Sequence, residues 1–275
     1  MSNKIKLDIR TKRNLFLNTT GEHKSVFNGD GLDFREIREY DTSDDIRHIN
    51  WKVTARRGTA SVNIFNEDKQ LNIVLVYLNS GSLYFGSIKS KQDTAIEILN
   101  LLASSALQKN DLISTTFFSK DEQKFFKATK NKKIVNQLID TAYELDPIGN
   151  TIDYKKLGLY LANKIKKKSL IFIIGDFLEI PDFKFLSKKH EIYCAIVRDN
   201  LEEDLKLSGE YNFINTNNKE EDLIYLDDAA IVKYNKLMRE HDQKLFSHFV
   251  KSRIKYHKIY TSDNIFKSLS KLVKA

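Results

Sequence analysis

The chain has 275 residues, 41% of them hydrophobic, which is enough for one large core, or for a core domain with a smaller appendage. A single cysteine excludes an internal disulfide or a cysteine metal cluster, and the +8 formal charge sets 45 Lys and Arg against 37 Asp and Glu in short runs, which disfavours a dedicated nucleic-acid surface. No stretch approaches the roughly 18 continuous apolar residues that cross a bilayer, and the start, "MSNKIKLDIRTKRN", has no apolar region behind its charges, so a soluble cytoplasmic protein is expected.

Residues 1–69 read as short alternating pieces, such as "SVNIFNE" at 61–67, around a charge-dense middle. They are expected to form a small, partly β N-terminal segment packed on the domain made by residues 70–275. From there apolar strands alternate with helical stretches, which predicts an α/β fold: a Rossmann-like, mainly parallel sheet with helices on both faces.

"LNIVLVYL" (71–78) is almost continuously apolar, as a strand buried on both faces must be, and is the expected central strand. "KSKQDTAIEILNLLASSALQKN" places Ile96, Leu99, Leu102 and Ala103 at helical spacing. "DLISTTFFS" and "DEQKFFKA" predict a strand and its hairpin partner, and "KKIVNQLIDTAYEL" and "DYKKLGLYLANKIKK" two amphipathic helices. "SLIFIIGDF" and "HEIYCAIVRD" are further buried strands, the second holding Cys194 as a core thiol. A long helix ("DDAAIVKYNKLMREHDQKLFSHFVKSR"), a strand ("KYHKIYTS") and a last helix ("NIFKSLSKLV") close the chain.

In open α/β sheets ligands bind beyond the carboxyl ends of the strands, so the turn after the central strand, "YLNSGSLYFGS" (77–87), is the first place to look. Gly81 and Gly86 have the spacing of a phosphate loop, but Ser87 and Ile88 follow where the motif needs Lys and then Ser or Thr. A magnesium reading fits better: Ser80 and Ser82 place two hydroxyls on one side of the turn, with Thr151 and Asp176 available from later loops.

This set resembles the metal-ion-dependent adhesion site of von Willebrand factor A domains, an Asp-x-Ser-x-Ser turn followed by a distant threonine and a later aspartate. Ser80, Ser82, Thr151 and Asp176 match, but Leu78 stands where the pattern has its first aspartate. Asn79 is one residue off and points to the opposite face of the strand. The expectation is a degenerate, empty site with no cofactor.

Upstream, "GDGLDFREIREYDTSDDIRHINWKVTARR" (29–57) is similar to the signature of the bacterial domain-of-unknown-function-58 family. Gly31, Asp33, Phe34, Arg38, Tyr40, Asp44, Asp45, Arg47, Ile49, Trp51, Ala55 and Arg56 carry the likeness; Asn50 replaces the usual aspartate before the tryptophan. Read on its own chemistry, the segment puts Ile46, Ile49 and Val53 at helical spacing and offers Trp51 as an apolar anchor. Its arginines and carboxylates are expected to pair in a structural lattice that fastens the segment to the domain.

The resemblance implies a von Willebrand factor A-like, non-enzymatic adaptor that works beside a MoxR-type AAA+ ATPase in assembling or activating protein complexes. Two alternatives stay open: a magnesium-dependent phosphoester-cleaving enzyme using the same four residues, and a basic nucleic-acid-binding protein using the lysine runs at 130–133 and 164–168. The six histidines are scattered; His241 and His248, seven apart, are too distant along a helix to share a zinc ion.

Overall fold

The computed structural model describes residues 28–66, 70–214, 216 and 220–274, with side chains from residue 36 onward except at 65, 66 and 213. The chain divides into two compact units, separated in sequence between Gln70 and Leu71.

In the first unit β1 (Asn28–Glu39) pairs antiparallel with β2 (Ser61–Asn66), with register breaks before Asp33 and before Glu36. Between them lie a 3-10 turn at Ile46–His48 and the short helix α1 (Trp51–Arg57). The helical spacing of Ile46, Ile49 and Val53 does not make one helix. Ile49 is extended, and Asn50 caps α1 instead, its side chain accepting from Val53 N at 3.1 Å. The Asp-Asp pair therefore starts only the 3-10 turn, where Asp45 accepts from Arg47 N. Gly58 closes α1 in the left-handed region at φ 74°, a conformation that costs glycine nothing.

The second unit carries β3 (Asn72–Leu78), α2 (Lys91–Gln108), β4 (Leu112–Phe118), β5 (Glu122–Thr129), α3 (Ile134–Glu144), α4 (Tyr154–Lys164), β6 (Leu170–Gly175), α5 (Lys184–Ser187), β7 (Glu191–Arg198), α6 (Asn200–Glu203), β8 (Gly209–Ile214), β9 (Glu221–Leu226), α7 (Asp228–Lys251), β10 (Lys255–Tyr260) and α8 (Ile265–Lys274). Six strands form one sheet in the order β10-β7-β6-β3-β4-β5, all parallel except β5, which pairs antiparallel with β4. The expected central strand is interior, and the apolar run is explained by its two faces. Ile73, Leu75 and Tyr77 pack with α2, α3 and α8, whereas Val74, Val76 and Leu78 pack with α4, α5 and α7. Each of these buried side chains contributes roughly 1.5–3 kcal/mol of transfer free energy.

The chain goes from β3 to β4 on one side and returns to β6 on the other, so the strand order reverses between β3 and β6. The loops after these two strands flank the crevice in which α/β sheets bind ligands. The β8–β9 hairpin is a separate two-stranded sheet that the sequence pattern did not announce. Its residues do not alternate between core and solvent, because every residue of β9 is at least partly exposed.

Candidate functional site

The crevice brings together three of the four residues predicted for it. Ser80 Oγ lies 2.8 Å from Ser82 Oγ, and both hydroxyls donate to Asp176 Oδ2, Ser80 at 3.3 Å and Ser82 closer still. Asp176 is 2% exposed, at the first position after β6. Thr151 makes no such bond. It lines, with Ser80, Ser82 and Asp176, a cavity of about 170 Å³ whose wall also includes Tyr154, Leu178, Glu179 and Thr216.

Backbone contacts hold the turn in place. Gly81 N donates to Asn150 O at 2.9 Å, and Gly149 N donates to Thr216 O at 2.6 Å. A Cβ on Gly81 would stand 2.6 Å from that same Thr216 oxygen, so the close approach admits glycine only.

Leu78, at the place of the first aspartate of the adhesion-site pattern, is fully buried in the core cluster under α4. Its side chain lies directly over Gly175, where a Cβ would come within 2.8 Å of Leu78 Cδ1. Asn79 points the other way, as strand alternation requires. Its Nδ2 donates to Gln123 Oε1 at 3.0 Å and to Asp146 O at 3.4 Å, and its buried Oδ1 has no partner. Asn79 is therefore turned away from the Ser80, Ser82 and Asp176 side chains.

Behind Asp176 lies a buried ionic network. Arg198, at the end of β7 and fully buried, donates through Nη1 to the Asp176 carbonyl and reaches Asp242 Oδ1 at 3.4 Å. Lys258 Nζ bridges Asp242 Oδ2 at 2.5 Å and Glu203 Oε1 at 2.6 Å, and Tyr260 OH donates to Glu203 at 2.8 Å. The Arg198 charge is thus matched inside the fold. Tyr154 stacks near Phe177 and Phe183, and its hydroxyl has no hydrogen-bond partner. Burial, and then the charges of Asp176 and Glu179, push its phenol well above the ordinary value, so it stays neutral.

The stretch after Gly86 is engaged by the chain's own anion. Ser87 N and Oγ both donate to Asp199 Oδ2 at 3.0 Å, joined by Thr261 Oγ1 at 2.7 Å, while Leu201 N donates to Oδ1 at 2.9 Å. Burial raises the Asp199 carboxyl, but these donors outweigh it and the net shift is downward. Lys89 pairs with Glu97 at 2.9 Å rather than facing the turn. A phosphate would have to displace Asp199 to use these donors.

Sequence reasoning missed Arg198, Asp199 and Tyr154. A signal for the first two was present: "HEIYCAIVRD" ends in polar residues beyond an apolar run, just as "SLIFIIGDF" delivers Asp176. Cys194, in that strand, is fully buried, and burial raises its thiol well above the usual value. Among the described residues no group of three or more His, Cys, Asp or Glu could hold a metal ion, and His241 Nε2 is instead 2.9 Å from Phe177 O.

The signature residues of the first unit behave unevenly. Arg38 pairs with Asp44 at 2.6 Å, Arg47 with Asp45 at 2.6 Å, and Tyr40 N donates to Ala60 O at 2.8 Å. These ion pairs lie within the unit itself. Arg56 and Arg57 form none among the described residues, and the expected anchor Trp51 is 70% exposed. Gly31, Asp33 and Phe34 lie on β1, and their side chains fall outside the described part of the structure.

A model of the family described as "protein of unknown function DUF58" matches residues 36–244. Uncharacterized proteins of Mycobacterium bovis and Mycobacterium tuberculosis are 34% identical over 91 residues, which is 33% of this chain and 29% of theirs. The aligned part therefore spans less than a third of those relatives. Among solved structures, the conserved hypothetical protein BatB from Bacteroides thetaiotaomicron superposes with a TM-score of 0.50 at 11% identity, covering 74% of this chain and 97% of that one. The SpRpn10 VWA domain gives a TM-score of 0.44 at 11% identity, with 74% and 94% covered. At these identities the likeness concerns the fold alone, a mainly parallel sheet with helices on both faces.

Proposed function

Since the chain belongs to the DUF58 family of unknown function, we propose that it is a non-enzymatic protein-interaction module, which recognises its partner at the carboxyl edge of the β3–β6 crevice. The observation that carries this reading is the donor set. Of Ser80, Ser82, Thr151 and Asp176, only Asp176 is charged, both serine hydroxyls are bonded to it, and a core leucine occupies the position of a second acid.

Magnesium prefers several oxygen ligands with matching negative charge, and two-metal hydrolysis needs converging carboxylates. With both serine hydroxyls turned to Asp176 and Glu179 the one further acid in the cavity wall, the set is a poor match for a resident dication. In this proposal the site therefore works without metal and offers acceptors, Asp176 and Glu179 with the Thr151 hydroxyl, to hydrogen-bond donors on the partner. A MoxR-type AAA+ ATPase is the partner that the family resemblance implies, and the cytoplasm the proposed location. Among the described residues, no helix is long and apolar enough to cross a membrane.

The test is a pull-down against a MoxR-type ATPase with nucleotide supplied, comparing the parent with Thr151→Arg, which fills the cavity. Capture of the ATPase by the parent and its loss in the variant are expected; equal capture, or none, speaks against the crevice. Calorimetric titration with Mg²⁺ is expected to give no binding heat, and a micromolar Kd would overturn the metal-free reading. Metal-dependent turnover of phosphoester substrates that Asp176→Ala abolishes would overturn the non-enzymatic one.

A further inference from the structure

Two surfaces of this chain are apolar, solvent-exposed and opposite in charge. The first is one face of the β8–β9 hairpin. Cross-strand pairing sets Glu210 against Tyr225, Asn212 against Leu223 and Ile214 against Glu221, and directly opposed residues share a face. On that face Tyr225 is 72%, Leu223 69% and Ile214 59% exposed, with a glutamate at either end of the stripe. An isolated two-stranded sheet is marginal in water unless one face packs against something.

The second surface is the 46–57 segment of the other unit. Ile46 is 65% and Trp51 70% exposed. Along α1, Trp51, Lys52, Ala55 and Arg56 fall within about 140° of the helix circumference, and all four are exposed. Lys52, Arg56 and Arg57 carry no ion pair among the described residues, whereas Arg38 and Arg47 do. Tryptophan and arginine together are the residues most often found to dominate binding energy at interfaces.

We propose that these two faces bind each other between copies: the Trp51–Arg56 face of one chain docks on the Tyr225–Leu223–Ile214 stripe of a second. The charge signs select this occupant, since the acids at the ends of the stripe meet the unpaired bases of α1 while the aromatic and aliphatic groups bury one another. The contact is heterologous, head to tail, so assembly continues beyond a dimer unless the geometry closes a ring. Patches this small give weak association, with a Kd above about 1 μM.

The sequence supplies a reporter, because Trp51 is the only tryptophan in the chain. Sedimentation velocity and tryptophan emission are followed on the whole chain from about 1 to about 500 μM, the range in which a small interface is populated. The average mass should rise with concentration while the emission shifts to the blue, and added salt should reverse both. Arg56→Glu and Glu221→Lys alter exposed side chains, and each alone is expected to weaken association at least about fivefold. An equimolar mixture of the two variants should associate better than either alone, because the mixture contains an intact basic face and an intact acidic face that can meet. Trp51→Ala should weaken association at least about tenfold. A mass that stays monomeric across the range, a blue shift independent of concentration, or a mixture no better than its components would overturn the proposal.

Discussion

Replacing Gly175 with alanine tests whether Leu78 fills the space beneath the crevice. At an extended strand position a glycine-to-alanine change normally gains about 0.5–1 kcal/mol, since alanine loses less backbone freedom on folding. Gly175 is not among the residues with positive φ, so no conformational penalty opposes that gain. The space does oppose it. A Cβ would sit 2.8, 2.9 and 3.1 Å from Leu78 Cδ1, Cβ and Cγ, closer than the roughly 3.5–4.0 Å of ordinary carbon contact. Overpacking a core costs about 1–3 kcal/mol, and three such close contacts put this site at about 2–2.5 kcal/mol, leaving a net loss of about 1–2 kcal/mol. For a domain of this size, that lowers Tm by about 2–8 °C. Leu78→Ala alone should cost about 2–5 kcal/mol, but in the Gly175→Ala background its cost should fall by about 1 kcal/mol or more, because the two side chains compete for one space. Thermal and urea denaturation of the four proteins in this cycle supply the coupling. A Gly175→Ala protein as stable as the parent, or strictly additive effects, would refute the packing argument and reopen the space beside Asp176 to a polar group.

Arg198→Met removes the cation that holds the Asp176 carbonyl and faces Asp242. Breaking a buried pair from one side costs about 3–5 kcal/mol, and adding Asp242→Asn should recover part of it in urea denaturation; a neutral Arg198→Met would show that Lys258 alone satisfies Asp242. Acidification is expected to destabilise the fold in two stages. His190 and His257 are lowered from the ordinary 6.5, first by burial and then by Lys189 and Lys271 respectively, with Asp263 partly opposing at His257. A lowered folded pKa means that only the unfolded chain takes up the proton as pH drops below 6.5, so the stability present above that value declines through the folded pKa. Asp199, lowered from 3.8, extends the same loss to more acid solution. Melting curves measured downward from about pH 7.5 should show Tm falling below about pH 6.5, and His257→Gln should flatten the first stage. A flat profile to about pH 5 would contradict the burial of these two rings.

The sequence by itself determined the α/β class and the interior position of β3. The physical reason is burial: strands covered on both faces must be apolar throughout, so "LNIVLVYL" and "SLIFIIG" mark themselves, and the chain beyond each apolar run must emerge at the sheet edge. Alternation along the strand also set Leu78 and Asn79 on opposite faces, Leu78 toward the core under α4 and Asn79 toward Gln123. What only the tertiary structure decided involves residues far apart in the chain. Asp199 takes the donors of Ser87, Arg198 anchors the Asp176 carbonyl, and Leu78 lies on Gly175, each a contact between segments that no local pattern links. The β8–β9 hairpin and the exposure of Trp51 escaped prediction for the converse reason. A hydrophobic pattern reports which residues avoid water only if the fold supplies a core to receive them, and neither the stripe at Tyr225 nor the face at Trp51 has one among the described residues of its own unit.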